Sequence, residues 1–456
     1  MVEIVHQSDA PELGFRSPLH RAARNFGKLL SGRSVAALLE LLTIGLLART
    51  LSPAHLGQIV LIQTYVLVIR GLFNFKLHDV LIQFGVPLLE AKDECSFKQL
   101  LKITLLIDFL SCAIATVVAV SAASFVGKIL GWEDRLTMMA MLYSSILLTY
   151  AFGTLKGVLR IFNRFDLLVK QLMVGPVLRL MGTIVVMMLA PSVLLFVVAL
   201  AIATAAGNLY MIASGWAELR RQAVVVSLKG SSLGKWRKEF PRLRQFVGIV
   251  YWQANVDMLP KHISILLAGT FLGPAGAGFL RLANELTKIL SKPGALLWQV
   301  LFPDLVRMWA RGAADFRAML LRAILICALS GLVFTLVSVF AGSYLLTIGL
   351  GADYAKATPL LTLLLLATTL ELMSTVLRAA GYAMSHAGKI LRIHLISAVL
   401  YLMTFVVLTP LLGLIGPGIA ACTSAVVAFT SISWLVGQSI RNAPRGEIQA
   451  CKADEV

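Results

Sequence analysis

The sequence predicts an all-α, polytopic membrane protein with about twelve spanning helices in two sets of six. Three observations predict it. The chain of 456 residues is 58% hydrophobic and only 14% charged, with a mean hydropathy of +0.84. Soluble domains carry roughly 45–50% apolar and about 25% charged residues, so a soluble enzyme of this composition could not cover its surface with polar groups. Disorder is excluded by the same apolar content. Second, the apolar residues fall into runs near the ~20 residues that a spanning helix needs. Lipid offers the backbone no hydrogen bonds, so such runs are helices, and the roughly ten-residue alternation of a β-barrel is missing. Third, lysine and arginine alternate sides between successive runs.

Taken in order, residues 1–32 are polar and mixed in charge. They hold no apolar core or small-residue cleavage site, so the first apolar run is expected to be the first anchor. Twelve spans are expected near 33–50, 57–75, 101–126, 137–156, 171–190, 193–214, 246–269, 275–300, 319–346, 358–379, 390–409 and 413–437. The fifth and sixth are parted only by Ala190, Pro191 and Ser192. Of the 41 Lys and Arg residues, 31 fall at the termini and in loops on one side, four in the opposite loops and six within spans. The positive-inside rule then places both termini and the basic stretch 216–245 in the cytoplasm. The net charge of +18 marks those loops rather than a nucleic-acid partner. The stretch 216–245 divides an N-terminal half, 33–215, from a C-terminal half, 246–438, followed by a tail, 439–456. The opposite loops are short, leaving no room for a folded outer catalytic unit.

The halves carry a repeat. Residues 50–57 (TLSPAHLG) align with 271–278 (FLGPAGAG) at an offset of 221, matching Leu51, Pro53, Ala54 and Gly57 to Leu272, Pro274, Ala275 and Gly278. Six spans per half is even, so the repeat is parallel, with a substrate site expected between the halves.

Charges inside spans are costly and mark cavities, ion pathways or pairs. The acidic set is Glu40, Asp108, Asp257, Glu285 and Glu371; the basic set is Arg70, Arg179, Lys261, Arg281, Lys288 and Lys292. Lys288, Lys292 and Arg70 lie where long side chains can snorkel to the interface. Arg281 and Glu285 are four apart and share a helix face, which suits a structural pair as well as a binding site. Asp257, Lys261 and Ser264 share another face, on a helix that Pro260 is expected to bend. Cations in excess within a cavity suit an anionic cargo held by charge-assisted hydrogen bonds. No nucleotide-binding loop is present: Gly230–Trp236 (GSSLGKW) is one residue short and lacks the magnesium-binding hydroxyl. No Cys/His spacing suits zinc, and Cys95, Cys112, Cys327, Cys422 and Cys451 are expected to be free thiols. Neither a metal, nor a cofactor, nor a catalytic residue is expected.

Several motifs resemble one family. Ala48–Gly57 (ARTLSPAHLG) is similar to an A-R-x-L-G/S-P-x-x-x-G turn, Gly157–Asp166 (GVLRIFNRFD) to a G-x-L-R-x-x-x-R-F-D motif, and LGPAGAGFLRL (272–282) with Phe302-Pro303-Asp304-Leu305 to L-G-P-x-x-x-G-x-Y and Y-P-E-L elements. In order and placement these resemble the polysaccharide transporter branch of the multidrug/oligosaccharidyl-lipid/polysaccharide exporter superfamily, over most of residues 30–440. The resemblance implies two six-helix lobes in a V shape, alternating access without ATP hydrolysis, and a bacterial inner-membrane flippase. It implies a polyprenyl-pyrophosphate-linked oligosaccharide as cargo, H⁺ or Na⁺ as coupling ion, and a monomer working beside membrane lipids and polysaccharide polymerase or glycosyltransferase machinery. Arg70, Arg281, Lys261 and Arg179 become expected cargo-binding residues, and Asp108, Asp257, Glu285, Glu40 and Glu371 expected ion-coupling or pairing residues. Ser264 stands where such proteins often carry Asp, and Arg160 and Arg164 fall in a cytoplasmic loop where the orientation rule explains them. A cation-coupled drug exporter on the same fold is the nearest rival reading, and would favour an acidic cavity. A membrane polymerase or acyltransferase would need larger outer loops or a membrane-placed His/Asp pair, and His262 is the only deep histidine.

Overall fold

The computed structural model describes residues 18–189, 191–224, 243–311, 313–384 and 386–442. These are almost wholly helical, with no strand among them. In order they are α1 (Pro18–Thr50), α2 (Pro53–Leu72), α3 (Leu77–Glu90), α4 (Glu94–Ile129), α5 (Asp134–Ser144), α6 (Gly153–Ile161), α7 (Phe165–Leu189) and α8 (Val193–Arg221). The helical segment Leu243–Arg311 follows, divided at Gly273 into α9 (243–272) and α10 (274–311). The last four are α11 (Ala313–Leu350), α12 (Thr358–Ala383), α13 (Ala387–Leu412) and α14 (Gly416–Arg441).

Among the described residues, ten stretches are long and apolar enough to cross a membrane. Two of them, Pro260–Ser291 and Gly388–Arg441, each contain a glycine at positive φ, Gly273 at 72° and Gly413 at 61°. Glycine takes that conformation without a Cβ penalty, and the chain doubles back there. The expectation of twelve spans counts the arms of these two hairpins separately. Large apolar side chains such as Phe340 (84% exposed), Met188 (82%) and Leu411 (73%) face outward, as lipid contact requires rather than water.

Four sequence expectations change in detail. The third span begins at Glu94, because Asp93 caps it: the Ser96 N–H donates to Asp93 Oδ1 at 3.0 Å. The fourth span is not one α-helix. Between α5 and α6 the chain tightens into a 3₁₀ turn, Ser145–Tyr150, where Ser144, Ser145 and Thr149 donate back to the carbonyls of Ala140, Leu142 and Ile146 at 2.6–2.8 Å. The loop after α2 contains α3, whose Leu77, Val80 and Leu81 are buried. Pro260 leaves α9 helical; the non-helical residue of that segment is Gly273.

The two halves meet along α2. The repeated turns touch each other there: a Cβ on Gly57 would stand 1.7 Å from the Pro274 carbonyl oxygen, and a Cβ on Gly278 2.9 Å from that of Pro53. Small residues admit this backbone approach. Further along, Gly269 takes the Leu61 side chain and Gly71 that of Met258. At the same end as the repeated turns, the Arg49 guanidinium donates to the carbonyls of Gly349 (3.1 Å) and Ile348, and the Tyr354 hydroxyl to that of Leu51 at 3.3 Å. At the other end the Tyr251 hydroxyl donates to the Leu72 carbonyl at 2.9 Å, and its ring stacks on Phe75 at 5.4 Å.

Candidate functional site

Among the described residues, the spanning charges other than Glu371 fall into three separate groups. The first lines a pocket of about 90 Å³ built entirely from residues 70–156. Arg70, in the last turn of α2, lays its guanidinium over the Tyr150 ring at 3.8 Å from the centroid, with Phe152 at 5.8 Å. The 3₁₀ turn positions Tyr150, and Phe152 stands at the N-cap of α6. The turn from α2 to α3 adds Asn74 and Lys76, α3 adds His78, α4 adds Asp108, Ser111 and Cys112, and α6 adds Lys156. Lys76 is fixed at positive φ (52°), its N–H held by Asn74 Oδ1 at 3.1 Å. Asp108 faces the first turn of α6: its Oδ2 accepts the Thr154 N–H, and a Cβ on Gly153 would reach its Oδ1 at 2.8 Å. A carboxylate there is stabilised by the helix N–H groups and dipole. Among the described residues, no carboxylate lies within ion-pair distance of Arg70, Lys76 or Lys156.

The second group is on α10. Arg281 Nη2 and Lys288 Nζ both reach Glu285 Oε1, at 2.8 and 2.6 Å. The carboxylate is buried, while the two cations keep 27% and 44% side-chain exposure. Arg281 lies three residues past Gly278, so helical spacing puts the group on the stripe that meets α2. From α9, His262 lies within electrostatic reach of Arg281 and Lys288, and its Nδ1 is buried without a hydrogen-bond partner. Lys261 is exposed. Ser264 is buried, its hydroxyl donating to the Lys261 carbonyl at 3.0 Å, so no carboxylate occupies that position. The side chains of Asp257 and Lys292 lie outside the described residues.

The third group joins α1 to α7: Arg179 Nη1 sits 3.5 Å from Glu40, and its Nη2 donates to Thr204 of α8 at 3.2 Å. Glu371 is exposed on α12, within electrostatic reach of Tyr401. At the ends of α6 and α8, Arg160 pairs with Asp79 at 3.6 Å, and Arg164 with Asp166 at 3.2 Å and with the buried Glu218. The Asp166 hydrogen bond leads in raising Arg164 above its ordinary range, so these arginines hold helix ends together.

From sequence, Arg70, Arg281 and Lys261 are expected to hold one ligand, and the structure places Arg70 in a different group from Arg281. Gly57 and Gly278 stand level, α2 and α10 run the same way, and Arg70 lies thirteen residues past Gly57. At about 1.5 Å per residue, Arg70 and Arg281 are about 15 Å apart along the helix axes. Arg179 occupies a third location, already engaged by Glu40. Sequence reasoning also missed Lys76, His78, Tyr150 and Lys156. The basic motif around Arg160 was the nearby signal, but spacing does not bring positions 70 and 150 together.

The family described as "Polysaccharide biosynthesis protein" matches residues 46–359. The chain belongs to that family. The chain is 26% identical over 338 residues to "Inner membrane protein YghQ" of Escherichia coli (strain K12), covering 73% of this chain and 94% of that one. The structure is similar to that titled "Inward-facing conformation of a multidrug resistance MATE family transporter of the MOP superfamily", with a TM-score of 0.72, 16% identity, and coverage of 91% and 100% of the two chains. It is also similar to "Lipid II flippase MurJ, inward closed conformation", with a TM-score of 0.67, 12% identity, and coverage of 90% and 87%. This family member is therefore a multi-pass membrane protein with the MOP transporter fold.

Proposed function

We propose that the chain flips a lipid-linked oligosaccharide, a polysaccharide precursor on a polyprenyl pyrophosphate, between membrane leaflets by alternating access. One observation carries the reading: on the stripe of α10 facing α2, two cations converge on one buried carboxylate. Lys261 and His262 stand nearby on α9. The excess positive charge at the meeting line of the halves suits a pyrophosphate, which accepts charge-assisted hydrogen bonds from Arg and Lys. Glu285 keeps the cations poised when cargo is absent. Glu40, paired with Arg179 and partly exposed, is the carboxylate best placed to exchange a coupling proton or cation. The basic loops face the cytoplasm, so cargo enters from that side.

A drug exporter for cationic compounds would want the opposite sign at the α9–α10 site. The family match supports polysaccharide biosynthesis, and the name of the flippase neighbour supports a lipid-linked cargo. The test is export in cells whose only copy carries Arg281→Ala with Lys261→Ala, at unchanged membrane abundance. Surface polymer should be lost and full-length precursor should accumulate on the cytoplasmic leaflet. Unaltered export would remove the pair from the site, and altered drug susceptibility with normal polymer would favour the exporter reading.

A further inference from the structure

The pocket around Arg70 is separate from the cargo site proposed above, and its chemistry stands alone. Three cations, Arg70, Lys76 and Lys156, line it with one carboxylate, and that carboxylate is taken up by the first turn of α6. Positive charge withdrawn from water is retained only where it is paired. Among the described residues no carboxylate pairs with any of the three, and Arg70 is held by the Tyr150 side chain alone. Tyr150 takes the guanidinium face and one hydrogen bond, which leaves most of the five N–H donors for a ligand. Asn74 uses its carbonyl oxygen on the Lys76 N–H, so its amide N–H₂ remains to donate. The pocket, about 90 Å³, holds a few water molecules' worth of space. Drug-sized sites occupy roughly 300–1,000 Å³, so a sugar chain does not fit.

The geometry points to a binding site for a single phosphoryl-sized oxyanion within the N-terminal half, gripped by Arg70, Lys76 and Lys156. That group comes either from an anionic phospholipid headgroup or from free phosphate. Lys76 and Lys156 belong to the lysine- and arginine-rich end of the helices, where anionic headgroups are attracted. The site needs nothing from α9–α14, so its occupancy does not require the halves to move.

The test uses full-length purified protein in nanodiscs of phosphatidylcholine alone. The thermal midpoint is followed against inorganic phosphate, with chloride at matched ionic strength as control. A saturable rise with phosphate and none with chloride is expected, and the apparent Kd should weaken about tenfold or more in Arg70→Gln and in Lys156→Gln. If Arg70→Gln does not fold, Lys156→Gln at the pocket wall carries the comparison. In nanodiscs containing phosphatidylglycerol, a midpoint already raised and no longer responsive to phosphate assigns the headgroup. Native mass spectrometry should then show that lipid retained by the parent and lost from Lys156→Gln. A continued response to phosphate assigns the free ion. Equal responses to phosphate and chloride without selective lipid retention, or responses unchanged in Lys156→Gln, would overturn the site. None of these readouts depends on export.

Discussion

Replacing Gly57 with alanine tests how the halves meet. The added Cβ would stand 1.7 Å from the Pro274 carbonyl oxygen and 2.3 Å from its carbon, where real Cβ contacts stay beyond 3.0 Å. The shortfall of 1.3 Å lies between two backbones, so no side chain can swing away to absorb it. At Gly278 the same substitution meets the Pro53 oxygen at 2.9 Å, a shortfall of only 0.1 Å. Overpacking of this kind costs about 1–3 kcal/mol, which shifts a two-state closure about 5–150-fold. The assay starts from a cysteine-free background with Ala277→Cys, a position with no exposed surface, and measures its labelling by a membrane-impermeant maleimide. Gly57→Ala should raise the labelling rate at least fivefold, and Gly278→Ala distinctly less. Equal labelling of Gly57→Ala and its parent, or a larger effect from Gly278→Ala, would refute the close-contact argument.

Two further predictions concern the charged groups. Glu285→Gln leaves Arg281 and Lys288 without their shared carboxylate; because both cations are partly solvated, the loss should be about 1–2 kcal/mol, read as a lower thermal midpoint that added salt partly restores. Tyr150→Leu removes the aromatic face under Arg70. It should cost about 0.5–2 kcal/mol and weaken phosphate-dependent stabilisation, with Tyr150→Phe retaining most of both.

Helix positions were legible because the lipid-facing runs are long and the charge bias of the loops is strong. Local pairs were legible too: Arg281 and Glu285 are four residues apart, and helical spacing alone lets them touch. What could not be read were encounters set by packing. Glu40 and Arg179 are 139 residues apart and meet because α1 lies along α7. Asp108 reads as a lone charge in an apolar run, yet it caps a helix that begins 45 residues later. α3 escaped notice because Leu77–Glu90 mixes apolar and polar residues over 14 positions, too short for a span and basic at its borders like a loop. The Arg70 pocket escaped for a related reason: it depends on a 3₁₀ turn that aims Tyr150 inward, and hydroxyl residues in an apolar run do not announce such a turn.

The turn repeated in the two halves touches its own counterpart: Gly57 packs on Pro274, while Gly278 packs on Pro53. Such a reciprocal contact has the self-complementary form of a two-fold interface, here made within one chain. Bulk gained at one glycine has to be answered by room made at the opposite proline turn, and the two motifs are bound to drift together.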